Sequence, residues 1–158
     1  MFFAGLPARP PFCLASMLSA VPTGGDRDGR VALCGKAGTP EFWLYNTFRG
    51  LNSSVSTKDE MGRHAGDFTE CYTQVVAHFR PWSNVKVVQG IVPDVLHTAG
   101  PDKVAFLHID LNATVPERAA IEFFWPRLVP GAMIVFDDYA WVAHAAQKQT
   151  IDLPRCRA

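Results

Sequence analysis

Apolar and polar positions divide this chain into two unequal parts near residue 40. Up to Pro40, Gly, Pro and Ala interrupt each run and no period of 3.6 or 2 is sustained. The spacing therefore predicts an irregular segment over 1–40 with one short strand at Val31 to Cys34. Beyond it, strand and helix patterns alternate. Phe42 to Tyr45 is an aromatic and apolar run that reads as a strand, ended by Asn46 and the turn-prone pair Arg49-Gly50. A polar stretch runs from Asn52 to Gly66. Asp67 and Glu70 then form a capping-box pattern, with Phe68, Tyr72, Val75, Val76 and Phe79 on one face of a helix that Pro81 closes.

Val85 to Val88 is a β-branched strand stopped by Gly90, and Val104 to Ile109, apolar except for His108, delivers Asp110 at its carboxyl end. Thr114 and Glu117 make a second capping-box pattern, with Pro116 in the first turn. The buried face of that helix is marked by Ala120, Ile121, Phe124 and Leu128, and Pro126 kinks it or ends it early. The turn Val129-Pro130-Gly131 leads into a strand from Ala132 to Phe136, which delivers Asp137 and Asp138; a helix from Val142 to Ile151 follows. Near-continuous apolar strands separated by helices indicate an α/β fold, a Rossmann-like, doubly wound and mostly parallel sheet covered on both faces. Ligands of such sheets collect outside the carboxyl ends of the strands, where Asn46, Asp110, Asp137 and Asp138 fall.

At 158 residues the chain has the size of one domain. Fifteen Lys plus Arg against fifteen Asp plus Glu cancel, so no global field draws it to nucleic acid or to an anionic membrane. With 48% hydrophobic and 19% charged residues, wholesale disorder is excluded. The four cysteines form no CxxC pair and read as reduced thiols in a cytoplasmic protein, and no apolar run is long enough to span a membrane.

Two readings of the acidic residues stay open. Asp110 and the Asp137-Asp138 pair follow successive strands joined by one helix, so they can converge, and converging carboxylates call for a hard divalent cation such as magnesium. Alternatively, Asp110 supplies turn chemistry and one of the pair caps the next helix. His144, after the acidic pair, is the candidate base, or else a surface residue.

The segments FWLYNTFRGL, GDFTECYTQV, NVKVVQGIVPDVL, KVAFLHIDLNATVPERAAIEFFWPRLVPGA and MIVFDDYAW, in this order, resemble the macrocin O-methyltransferase family. The resemblance implies a class I fold and an S-adenosylmethionine-dependent methyl transfer to a hydroxyl of a sugar or other small natural product. It also implies Asp110, Asp137 and Asp138 as ligands of Mg2+ beside the acceptor. The loop Asn46-Thr47-Phe48 would face the cofactor ribose, and the segment after Asp110 would approach the cofactor. The chain departs from the family in carrying Asn46 where an aspartate is usual. Between Cys34 and Phe42 there is also too little chain for the parallel crossover that should follow a glycine-rich loop. The expectation is an irregular segment over 1–40 and a partial methyltransferase domain over 41–158, lacking the central first strand and the last two. Exposed sheet backbone then favours a homo-oligomer. The competing expectation is a catalytically inactive remnant, or a binding or oligomerising module.

Overall fold

The computed structural model describes residues 18–21, 41–137, 139–142 and 145–152. The strand expected at Val31 to Cys34 lies outside them, as do Asp138 and His144. The elements are strands β1 (Leu18–Val21) and β2 (Phe42–Asn46), helices α1 (Lys58–Arg63) and α2 (Tyr72–Phe79), strands β3 (Val85–Gln89) and β4 (Val104–Ile109), helix α3 (Thr114–Phe124), strand β5 (Leu128–Phe136) and helix α4 (Ala145–Ile151).

The strands form one sheet in the order β3-β2-β1-β4-β5, with β2 parallel to β3 and β4 parallel to β5. Successive residues of a strand point to opposite faces, and both Leu44 and Tyr45 are 0% exposed, so the sheet is covered on both sides at β2. This is the α/β, Rossmann-like arrangement that the alternation of patterns predicts. One face carries the main core, where Tyr45, Leu107 and Ile109 meet Ala120, Ile121 and Phe124 of α3. The Tyr45 hydroxyl donates to the Ala99 carbonyl at 3.0 Å, and burial pushes its phenol well above the ordinary tyrosine range.

The centre of the sheet differs from expectation. The slot between β2 and β4 is filled by β1, which the aperiodic sequence before residue 40 does not announce. It runs antiparallel to both neighbours, with Leu18 opposite Tyr45 on one side and Ile109 on the other. The backbone donors expected to be bare there are paired. Because β1 is antiparallel, it begins at the edge where β2 and β4 end and leaves at the opposite edge.

The helices depart from expectation as well. The stretch read as a polar loop contains α1, opened by a complete capping box in which the Thr57 side chain accepts from Glu60 N and the Glu60 carboxylate accepts from Thr57 N. The pattern at Asp67 and Glu70 is not used as a box: α2 starts five residues later at Tyr72, whose N–H donates to Glu70 Oε1. In α3 the Thr114–Glu117 box is absent too, because Thr114 donates instead to Glu60 from another helix. At its other end α3 stops at Phe124 before a short 3-10 turn that contains Pro126, but Leu128, expected on the helix's buried face, and the turn expected at Val129-Pro130-Gly131 lie in β5, which starts four residues before Ala132. Finally, Cys71 is disulfide-bonded, which corrects the reading of this cysteine as a reduced thiol; Cys13, Cys34 and Cys156 lie outside the described residues.

Candidate functional site

The carboxyl ends of β2 and β3 open into a cleft. Its outer part, about 350 Å³, is lined by Thr47, Arg49, Gly50, Leu51, Asn52, Gln89, Gly90 and Ile91. A narrower inner end of about 40 Å³ continues past Val55, Ser56, Val92, Leu111 and Pro116, with Asn46 in its wall. Apolar walls with a few polar groups, and an outer volume within the usual few hundred Å³, are what small-molecule sites present.

Backbone strain gathers along this edge. Among the described residues the non-glycine residues at positive φ are Phe48 (58°), Asn112 (53°) and Ala140 (66°), lying shortly after β2, β4 and β5 respectively. Such conformations cost about 1–3 kcal/mol each and persist where surrounding structure imposes them, commonly at functional sites. At Phe48 the cause is visible. Asn46 is 4% exposed and its Oδ1 accepts the Phe48 N–H, closing an Asx-type turn. The Phe48 ring, itself buried, packs on Tyr72 with centroids 5.3 Å apart. Thr47 stiffens the same turn, its hydroxyl donating to the Gly50 carbonyl at 2.6 Å.

Gly90 holds the facing loop close. Its N–H donates to the Asn46 carbonyl at 2.9 Å, and a β-carbon at this position would overlap Val95 Cγ1. Gly90→Ala is therefore expected to cost about 1–3 kcal/mol by overpacking, read as a lower urea midpoint at unchanged slope.

Asp110 and Asp137 are brought together at the next pair of strand ends. Ile109 pairs with Phe136, and Asp137 N donates to the Ile109 carbonyl at 3.1 Å, so the two carboxylate-bearing residues follow adjacent parallel strands. Asp110 is half-buried and its Oδ1 accepts from Asn112 Nδ2 at 2.8 Å, while Asp137 is exposed. Among the described residues no group of three His, Cys, Asp or Glu could hold a metal ion. Two carboxylates, one tied to an amide, do not by themselves make a closed magnesium site.

A residue that strand and motif reading passes over sits behind the cleft. Glu60 is 4% exposed; its Oε2 accepts from Thr57 N at 2.7 Å and Thr57 Oγ1 at 3.0 Å, and its Oε1 accepts from Thr114 N and Oγ1, both at 2.8 Å. Burial opposes its charge, but the hydrogen bonds from Thr57 and Thr114 outweigh that and hold the carboxyl below its ordinary 4.5. The signal for it in the sequence is Thr57 followed three residues later by Glu60, a capping box inside a stretch without apolar periodicity.

Residues 27–139 match a protein family described as "Methyltransferase domain", a span that takes in the cleft and leaves β1 ahead of it. The chain is also similar to the 8-demethyl-8-(2,3-dimethoxy-alpha-L-rhamnosyl)-tetracenomycin-C 4'-O-methyltransferase of Streptomyces olivaceus, being 26% identical over 108 residues. That alignment covers 62% of this chain and 41% of the relative, so the chain spans less than half of the relative's length. No solved structure matches the chain.

Proposed function

Since the chain belongs to the methyltransferase domain family, we propose that it takes S-adenosylmethionine in the cleft at the ends of β2 and β3 and serves methyl transfer to a hydroxyl oxygen of a small molecule. A sugar hydroxyl is the favoured acceptor, in keeping with the resemblance to macrocin O-methyltransferases and with a relative named for acting on a rhamnosyl compound. The observation that carries this reading is the cleft itself, built within the matched residues at the carboxyl edge of the parallel strands.

When bound, the donor supplies an electrophilic methyl group for in-line displacement by the acceptor oxygen, a reaction governed by positioning. Ile91, which lines both parts of the cleft, and Val92 and Leu111 at its inner end offer apolar surface for a base to pack against. Asn46, in the wall of the cleft, is the residue proposed to meet the ribose, but its Oδ1 already accepts the Phe48 N–H, which leaves this oxygen limited capacity for a sugar hydroxyl. Asp110 and Asp137 offer the oxygen ligands magnesium favours, with Asp138 next in the chain, so magnesium belongs to this proposal as an addition to be tested.

The test is calorimetric titration of S-adenosylhomocysteine into the chain, with and without magnesium. Saturable binding is the expected result, and stronger binding with magnesium that is lost in Asp110→Asn would support the ligand role of the aspartates. Asn46→Asp is expected to tighten binding by about five- to tenfold, because a carboxylate accepts the Phe48 N–H with one oxygen and ribose hydroxyls with the other. Unchanged affinity in that variant would remove Asn46 from the ribose site. A second reading, a non-catalytic remnant, is favoured by one observation: β1 places a strand start, and not the loop after a parallel strand, at this edge of the sheet. A folded chain that takes up no S-adenosylhomocysteine would support it.

A further inference from the structure

We propose that Glu60 is a positioning residue for the cleft, its one carboxylate bridging the leading turns of α1 and α3 and so setting the separation of the two walls that receive a ligand. This rests on the cleft being the adenosyl site. Val55 and Ser56, which line one wall of the inner end, immediately precede Thr57; Leu111 and Pro116, which line the other, flank Thr114. Each wall is held by two donors, a backbone N–H and a hydroxyl, and each pair is taken by a different oxygen of Glu60.

The chemistry selects a glutamate. Four donors converge on one side chain, which must therefore be acceptor-only; a glutamine would turn its NH2 group toward N–H groups that need an acceptor. An aspartate is one methylene too short to reach both walls from the same backbone position. With Glu60 4% exposed, water is poorly placed to substitute for a lost bond. The residue has no part in the lining of the cleft, so its influence on a ligand passes through Thr57 and Thr114.

The experiment compares the wild type with Glu60→Gln, Glu60→Asp and Tyr45→Phe, the last removing a hydrogen bond to Ala99 outside the cleft lining. Two quantities are read: amide hydrogen exchange of the ligand-free chain at Thr57 and Thr114, and affinity for S-adenosylhomocysteine. Glu60→Gln is expected to speed exchange at both turns together and to weaken binding at least tenfold, whereas Tyr45→Phe leaves both within about twofold. Exchange that rises at one turn alone, or unchanged affinity in folded Glu60→Gln, would overturn the proposal. If the wild type itself takes up no S-adenosylhomocysteine, the cofactor reading fails, and the coupled rise in exchange, present or absent, decides on Glu60. Should Glu60→Gln not fold, Thr114→Val removes one hydroxyl donor from the bridge and is read in the same two ways, with about a threefold loss of affinity expected.

Discussion

Phe124→Ala is expected to lower the unfolding free energy by about 3–5 kcal/mol, the usual result of truncating a fully buried phenylalanine. Phe124 is 0% exposed at the last turn of α3, with its ring against Tyr45 at 6.0 Å and Phe123 at 4.9 Å between centroids. Removing it opens a void between helix and sheet that neither β2 nor β4 can close, since both are held in register by their neighbours. Urea unfolding followed by circular dichroism measures the effect. A loss below about 1 kcal/mol would mean that α3 does not pack on the sheet in this way.

The second large effect belongs to Glu60→Ala. The substitution strips the leading turns of two helices of their shared acceptor and leaves the Thr57 and Thr114 N–H groups unpaired. Each lost cap costs about 0.5–2 kcal/mol, so a total of about 1–4 kcal/mol is expected. The effect carries a pH signature. The folded chain holds the Glu60 carboxyl below its ordinary 4.5, so on acidification the unfolded chain takes up the proton first. The stability due to this group is therefore present above about pH 4.5 and is lost as pH falls through the folded value. Unfolding curves of wild type and Glu60→Ala should differ most near neutrality and converge in acid. A difference that stays constant down to the lowest pH at which both fold would show that the ionised carboxylate is not the stabilising species.

How much of this was legible beforehand depends on the distance over which the deciding interaction acts. The run from Val104 to Ile109 reads as a strand with the boundaries it has in the fold because unbroken apolar residues between polar turns are a local signal. The end of α3 was legible for the same reason, since Pro126 acts on its own backbone. The capping boxes show the limit. Three matches to one local pattern lay in the chain, at Thr57, Asp67 and Thr114, and local sequence could not rank them. Burial set aside only Glu70, left at the surface; Glu60 and Glu117 are both 4% exposed, and the reach of Glu60 across to Thr114 decided between them.

The same division runs through the site. Sequence alone determined the alternation of strands and helices, the carboxyl ends at which Asn46, Asp110 and Asp137 stand, and the resemblance that points to methyl transfer. Each of these follows from chemistry between near neighbours in the chain. Only the tertiary structure decided that Leu18–Val21 enters the middle of the sheet, that it runs antiparallel there, and that the Glu60 carboxylate reaches Thr114 across 54 positions. Those outcomes depend on which distant backbone groups find partners once the chain has collapsed. A β1 of four residues carries too little periodicity to announce its neighbours, whereas an unpaired slot between two strands is costly enough to recruit whichever segment can fill it.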